Sequence, residues 1–199
     1  MKRRYFRFDT LRWIGTGFKS PSPQWVKVKL LTSSMISNGE WLETGTYLGD
    51  TTNVLSKHAN RVTTIEPSRD LFNFSRLRLK TKRNIAFHNG SSEELFHECL
   101  LKSGPRLNIW LDGHFSGDIT FKGKTDTPII CELNAISQEL ERFEEIRVFI
   151  DDVRCFYHDM NEGNDYPKLD FLIAWARENG FKWRIEQDIF IAEFESPLK

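Results

Sequence analysis

The sequence predicts an α/β fold: a doubly wound, mostly parallel sheet that ends in an antiparallel hairpin. Short apolar and β-branched runs alternate with segments of helical periodicity about 10 to 15 residues long, which is the pattern of βαβ units. The last two apolar runs are separated by little more than Gln187-Asp188, which favours a hairpin over another crossover. Helices are therefore expected on both faces of the sheet.

Each element follows from its own local pattern. Asp50 is suited to cap a helix that carries Val54 and Leu55, and Gly180 is a usual helix stop. Apolar spacing predicts further helices over 24–36, 69–80, 93–101, 127–140 and 169–179. The predicted strands cover 41–42, 61–65, 85–87, 107–111, 147–150, 182–188 and 189–194.

The first 38 residues are predicted to be an N-terminal arm and helix that pack on the main domain, which covers 39–199. The first 22 or so, ending in Ser20-Pro-Ser-Pro23, are expected to form an arm or loop. In the helix that follows, Trp25, Val28, Leu31 and Met35 are spaced to form the apolar face.

Composition excludes several classes of protein. The chain has 199 residues, with 28 basic and 28 acidic side chains, which argues against binding of nucleic acid or an anionic membrane through the overall field but leaves a local basic patch open. No apolar run reaches the 18 or so residues of a membrane span, and no signal peptide is evident. Three widely spaced cysteines fit neither a disulfide framework nor a zinc motif. A cytoplasmic protein is expected.

Polar side chains follow the predicted parallel strands, where a ligand would bind in an open α/β sheet. The first two strands end at Glu43 and Glu66, and the third at Asn89-Gly-Ser91. The fourth and fifth end at Asp112 and at Asp151-Asp152. Because all five strands end in polar residues, we expect the functional site at this edge of the sheet.

The loop from Glu43 to Thr52 is the most informative segment. It lacks the Gly-Lys-Ser/Thr of a Walker loop and the G-x-G-x-x-G of a dinucleotide site. Glu43 would repel a pyrophosphate and suits a cationic ligand instead. Glu66 is placed to accept hydrogen bonds from ribose hydroxyls. A ribose, a positive charge and no phosphate together describe S-adenosylmethionine.

On these residues the chain resembles the class I S-adenosylmethionine-dependent methyltransferases, from about Pro21 to the C-terminus. The glycine-rich loop is similar to the first motif of the class, with Tyr47 where many members have a glycine. The resemblance implies the Rossmann-like architecture of the class and an enzymatic activity. The cofactor-binding residues expected from the loop and the strand ends are Glu43, Thr44, Gly45, Thr46, Gly49, Asp50, Thr51, Glu66, Pro67, Gly90, Ser91, Ser92 and Asp112.

Leu111-Asp-Gly113 together with Ile150-Asp-Asp152 resembles the macrocin-type, metal-dependent sugar O-methyltransferases. That resemblance implies Mg²⁺ ligands at Asp112, Asp151 and Asp152, a hard-oxygen set that suits this ion. The alternative is that these acids only order the strand ends. The stretch 111–128 also resembles a group of uncharacterised bacterial methyltransferase-like proteins.

The predicted reaction is O-methylation of a sugar or another small polar metabolite. Asp112 is expected at the junction of cofactor and acceptor, with His114 as the general base or else a structural loop histidine. Arg154 and Tyr157 are candidate acceptor contacts. The alternatives are a non-catalytic cofactor-binding module and an RNA methyltransferase; homo-oligomer formation stays open. The basic cluster from Arg76 to Arg83 favours a solvated helix face over an RNA site.

Overall fold

The computed structural model describes residues 2–113, 127–157 and 165–197, with side chains from residue 9 onward. His114 and Asp118 lie outside the described residues. The strands are β1 (Glu40–Thr44), β2 (Val62–Glu66), β3 (Ile85–Asn89), β4 (Arg106–Leu111), β5 (Glu145–Ile150), β6 (Lys182–Glu186) and β7 (Ile189–Glu195).

These strands form one sheet in the order β3-β2-β1-β4-β5-β7-β6. The first five are parallel, whereas β7 runs antiparallel to both β5 and β6. The hairpin turn uses Gln187 and Asp188, both at positive φ, and β7 inserts beside β5 so that β6 becomes the edge strand. The predicted fold class is confirmed.

Helices cover both faces of this sheet. They are α1 (Lys2–Gly15), α2 (Gln24–Ser34), α3 (Asp50–Leu55), α4 (Arg69–Arg78), α5 (Ser92–Leu101), α6 (Ile129–Gln138) and α7 (Leu169–Glu178). Two short 3-10 turns lie at Leu140–Arg142 and Val153–Phe156. Within the described ranges, no helix combines the length and apolar content that crossing a bilayer requires.

Alternating side chains of the strands supply two hydrophobic clusters, one on each face. On β4, Ile109 packs with the residues under α5, α6 and α7, while Trp110 packs with those under α2 and α3. Trp41 on β1 stacks on Phe149 of β5 on this second face, with ring centroids 5.6 Å apart. Burial on both faces explains why the central strands β4 and β5 carry apolar side chains at most of their positions.

Two local features differ from the sequence-based expectation: the N-terminal segment is largely helical, and the cap of α3 is not Asp50. The segment expected to be an arm or loop contains α1, which is tied to α2 where Trp25 Nε1 donates to Thr10 Oγ1 at 3.0 Å. Asp50 does not cap α3: the N-cap is Gly49, whose φ of 77° favours glycine, and Asp50 instead pairs with Arg78.

The buried face of α2 also differs from the prediction. It consists of Lys27, Leu30, Leu31 and Ser34. Of the four residues spaced as an apolar stripe, Leu31 alone is fully buried, and Trp25, Val28 and Met35 are partly exposed. The helix is rotated relative to the expected orientation because Lys27 faces the acidic residues at the end of β5.

Candidate functional site

The order of strands reverses between β1 and β4, which are paired neighbours in register from Glu40–Leu107 to Thr44–Leu111. From β1 the chain winds outward through β2 to β3, and from β4 outward through β5. The crevice beyond the carboxyl ends of the two central strands is the place where open α/β sheets bind ligands. The predicted strand-end residues therefore converge at this edge.

Gly45 makes the first turn beyond β1 and lies against the end of β4. Its φ is 82°, and a β-carbon there would be 2.3 Å from the carbonyl oxygen of Asp112. Its N–H donates to the carbonyl of Ile65 at 3.0 Å, while the Asp112 N–H donates to the carbonyl of Thr44 at 3.2 Å. Glycine is required here by both the turn and the close approach.

Glu66, the predicted ribose ligand, is fixed to the glycine-rich loop. Its Oε2 accepts from the Tyr47 N–H at 2.7 Å and its Oε1 from the Ser68 N–H at 2.9 Å. Burial raises the pKa of Glu66, and these two hydrogen bonds oppose that rise. Tyr47 has a φ of 49°, the left-handed conformation that explains why glycine suits this position. The carboxylate is held in place while its remaining lone pairs can still accept.

Glu43 lies beneath the loop rather than on its rim. The carboxylate is fully buried, and its Oε2 accepts from Thr52 Oγ1 at 2.6 Å and from Thr64 Oγ1 at 2.8 Å. Burial raises the pKa of Glu43 to about 7. Within the described chain, its Oε1 has no hydrogen-bond partner. This buried acid beside the glycine turn therefore has one carboxylate oxygen that accepts no hydrogen bond from the described residues.

Sequence reasoning missed a second buried acid, Glu132 on α6. Its side chain is 1% exposed, and burial raises its pKa to about 7 against the opposing effect of the Ser92 and Thr44 hydroxyls. Neither its Oε1 nor Thr44 Oγ1 has a hydrogen-bond partner of good geometry among the described residues. Its burial could have been predicted from the sequence, because position 132 falls on the same face of the predicted helix as the apolar Ile129 and Leu133.

Glu132 lines a small cavity at the ends of β4 and β5. Its walls are mixed: apolar side chains from β4, β5 and α6 alternate with polar groups from α6, from the end of β5 and from the segments before α6 and α7. The lining residues are Leu111, Gly113, Thr127, Pro128, Ile129, Glu132, Ile150, Asp151, Phe156 and Tyr166. Its volume of about 10 Å³ is room for one water molecule, so the described walls alone do not form a small-molecule site.

The remaining predicted cofactor residues lie along this edge, several with side chains bonded inside the fold. Thr46 Oγ1 lies 2.5 Å from Thr64 Oγ1, and Thr51 Oγ1 accepts from Gln24 Nε2 at 2.9 Å. The Gly90 N–H donates to the carbonyl of Glu66 at 3.2 Å, which brings the end of β3 against the end of β2. Pro67, Ser91 and Ser92 border the same junction, with Ser91 as the N-cap of α5.

Two of the three predicted magnesium ligands, Asp151 and Asp152, bind an ammonium instead. Lys27 Nζ lies 2.7 and 2.6 Å from the two carboxylate oxygens of Asp151 and 3.1 Å from Asp152 Oδ1. Burial lowers the pKa of Lys27, but the charges of Asp151, Asp152 and Asp112 outweigh that effect and raise it. Within residues 9–113, 127–157 and 165–197, no group of three or more His, Cys, Asp or Glu side chains could hold a metal ion. These acids do not fit Mg²⁺ as the structure stands.

Arg154, a candidate acceptor contact, pairs with two acids of the fold while its side chain stays 36% exposed. Its guanidinium donates to Asp152 Oδ1 at 2.6 Å and to Asp188, and its backbone N–H donates to Asp188 Oδ1 at 2.9 Å. Burial lowers the pKa of Arg154, but its two carboxylate partners have the larger combined effect, and the pKa is raised above its ordinary value. Asp188, in the hairpin turn, was not predicted. Tyr157 is 44% exposed and bordered by residues 158–164, which lie outside the described chain.

No family model matches the sequence, and no curated protein is similar to it in sequence. Solved structures do match the fold. A protein from Staphylococcus aureus assigned as a caffeoyl-CoA O-methyltransferase aligns over 94% of this chain and 91% of its own, with a TM-score of 0.57 and 13% identity. A Streptococcus mutans protein assigned to the methyltransferases, in complex with SAH, aligns over 89% and 98%, with a TM-score of 0.52 and 17% identity.

An rRNA methylase from Streptococcus thermophilus aligns over 89% of this chain and 98% of its own, with a TM-score of 0.50 and 15% identity. The chain therefore has the Rossmann-like fold found in class I methyltransferases. None of these likenesses favours the macrocin type over other members. At such identities they define the fold alone, so that activity has to be argued from the site.

Proposed function

We propose that the protein is an S-adenosylmethionine-dependent methyltransferase. The observation that carries the proposal is the junction of the glycine-rich loop with Glu66, at the reversal of strand order. There the carboxylate is oriented by two backbone N–H groups, as binding the two hydroxyls of a ribose requires. The buried Glu43 behind the loop favours a ligand with positive charge and disfavours a pyrophosphate.

The cofactor would extend along the edge of the sheet from β3 to β4. Adenine would lie near Gly90, Ser91 and Ser92, ribose at Glu66, and the methionine portion along the turn at Gly45 and the end of β4. In this arrangement the methyl-bearing sulfonium would lie beside Asp112 and near the cavity that Glu132 lines. Thr44 Oγ1 and Glu132 Oε1 lack protein partners of good geometry among the described residues at this end, which supports a polar ligand or water there.

In the proposed transfer, an acceptor hydroxyl oxygen forms a bond to the methyl carbon while the bond from sulfur to that carbon breaks. The sulfonium becomes the neutral thioether of S-adenosylhomocysteine, and the hydroxyl proton leaves to a base. Asp112, at the end of β4, is our candidate for orienting the acceptor, and His114 remains the predicted base outside the described residues.

We further propose a small polar acceptor, with sugars as the first class to test. The carboxylates of Glu132 and Asp151 line the cavity at the ends of β4 and β5, and such acceptors suit the hydroxyl groups of a sugar. The basic groove formed by Arg76, Lys80 and Lys82 borders the beginning of β3. That is the opposite edge of the sheet from the strand ends, so this groove would not deliver RNA to the cofactor.

A reducing compartment suits the described cysteines. Cys99, Cys131 and Cys155 are all free thiols, and burial raises the pKa of each. Raised values keep them protonated and poorly reactive. This supports the proposal of a cytoplasmic location.

Calorimetric titration of the purified chain with S-adenosylmethionine, S-adenosylhomocysteine and NAD is the direct test. Binding of the first two at micromolar concentration without binding of NAD supports the proposal. For substitutions of Glu66, the matched control is D70N, since Asp70 is an exposed acid in the first turn of α4, close in sequence to Glu66. Absence of S-adenosylmethionine binding to the wild type at millimolar concentration would refute the methyltransferase proposal. Tight binding without turnover over a broad panel of sugars and other hydroxyl acceptors would favour the non-catalytic module.

A further inference from the structure

The ammonium of Lys27 is the centre of a closed charge cluster at the end of β5. An ammonium has three N–H donors, and carboxylate oxygens lie within 3.1 Å of Nζ at three positions. Lys27, Asp151 and Asp152 each have a side chain no more than 9% exposed. The cation is therefore enclosed by acids and shielded from water.

The cluster continues to the hairpin turn. Arg154 Nη1 lies 2.6 Å from Asp152 Oδ1 and also contacts Asp188, whose side chain is 4% exposed. Charges of opposite sign thus alternate from α2 through the end of β5 to the turn between β6 and β7. Three acids share two internal cations, and the charge of Asp112 also acts on Lys27.

A divalent metal would need the position that Lys27 holds. Mg²⁺ binds carboxylate oxygens at about 2.0–2.1 Å in an octahedral arrangement and keeps several waters. The ammonium instead lies at hydrogen-bond distances of 2.6 to 3.1 Å, between the same oxygens that the metal would use. A second cation at this point would be repelled by Lys27 and would find its ligands occupied.

We infer that Lys27 is the resident cation of this edge, taking the position of a divalent metal and making the site independent of metal. The inference rests on the proposed function for the identity of the cofactor, and it extends that function to the charge balance of the site. Lys27 is a positioning residue: it holds Asp151 and Asp152 and fixes α2 to the carboxyl end of the sheet.

The test compares Mn²⁺ binding by the wild-type chain with binding by K27M, using the loss of the free-ion electron paramagnetic resonance signal. A methionine at this position keeps most of the length of the side chain without its charge, so the two acids are left to find another cation. We expect no Mn²⁺ binding by the wild type at submillimolar concentration. We expect K27M to bind one ion at least tenfold more tightly, and K27M/D151N to lose that site.

The control K27R keeps a positive charge at this position and should resemble the wild type. If K27M unfolds, its folded fraction should be restored by Mn²⁺ or Mg²⁺ and not by an equal ionic strength of Na⁺. Stoichiometric Mn²⁺ binding by the wild type that D151N abolishes would overturn the inference. So would a K27M chain that binds no Mn²⁺ whether it is folded or unfolded.

The proposed function is measured separately. Titration of the EDTA-treated wild type with S-adenosylhomocysteine should give the same affinity before and after addition of Mg²⁺. Absence of cofactor binding in both conditions contradicts the methyltransferase proposal and leaves the Mn²⁺ result unaffected. Binding only with Mg²⁺ supports the methyltransferase and contradicts the role of Lys27.

Discussion

A β-carbon on Gly45 would lie 2.3 Å from the carbonyl oxygen of Asp112, closer than two such atoms can approach. The turn after β1 and the end of β4 therefore meet backbone to backbone. This contact fixes the shape of the loop that would hold the methionine part of the cofactor, so a side chain at this position should disturb both stability and binding.

G45A should destabilise the protein strongly and abolish binding of S-adenosylhomocysteine. The left-handed φ of 82° costs an alanine about 1–2 kcal/mol, and the clash with Asp112 adds an overpacking cost of about 1–3 kcal/mol. G180A is the matched control, because Gly180 has a φ of 73° but open space around it. Urea denaturation should show G45A to be clearly less stable than G180A; equal stabilities would contradict the close approach.

The strand ends illustrate what the sequence can predict. Glu43, Glu66 and Asp112 each follow an apolar run, and parallel strands necessarily bring their carboxyl ends to one edge. The pattern predicts that these residues converge but not what each carboxylate contacts. Glu43 proves to lie inside the fold, bonded to Thr52 and Thr64 rather than open at the rim.

Lys27 could not be predicted, because its partners are 124 and 125 residues away in the sequence. Helical periodicity treats a lysine as a solvent-facing residue, so the expected apolar face of α2 was rotated away from it. The acids at Asp151 and Asp152 then looked like metal ligands, since their counter-charge lay in another part of the chain. Glu132 was missed for a related reason: an acid within an apolar stripe is assumed to be exposed.

Stability should fall as the pH rises from about 4.5 to 7, and E43Q should reduce this dependence. The pKa of Glu43 is raised to about 7, so the folded chain binds more protons than the unfolded chain in that range. The stabilisation is complete below the unfolded pKa and is lost as the pH rises through the folded pKa. For one such acid the upper bound is on the order of 3 kcal/mol.

Thermal denaturation of the cofactor-free chain at several pH values tests this dependence. The glutamine of E43Q keeps a carbonyl oxygen for the Thr52 and Thr64 hydroxyls but does not titrate. E132Q should flatten the profile in the same way, since the pKa of Glu132 is also raised to about 7. E178Q removes an exposed acid from the end of α7 and should leave the slope unchanged. An E43Q profile as steep as that of the wild type would contradict the assignment.

Tyr47 should be replaced more favourably by glycine than by alanine. Its φ of 49° is unfavourable for any residue with a β-carbon, by about 1–2 kcal/mol. The side chain is 46% exposed, so both substitutions lose little packing. Y47G is therefore expected to be more stable than Y47A by about 1 kcal/mol in urea denaturation. A Y47A chain at least as stable as Y47G would show that the loop adopts a different conformation.

E66Q should remove the preference of the site for a ribose over a 2′-deoxyribose. A carboxylate that accepts from a ribose hydroxyl makes a charge-assisted hydrogen bond worth about 1.5–3 kcal/mol, or roughly 10- to 100-fold in affinity. The glutamine of E66Q has only one carbonyl oxygen to accept from the Tyr47 and Ser68 N–H groups, so part of any overall loss of affinity would come from a disturbed loop.

The measurement is therefore a ratio: the affinity for S-adenosylhomocysteine divided by the affinity for its 2′-deoxy analogue. This ratio should fall toward one in E66Q and keep its wild-type value in D70N. A ratio unchanged by E66Q would place the ribose elsewhere along the edge of the sheet.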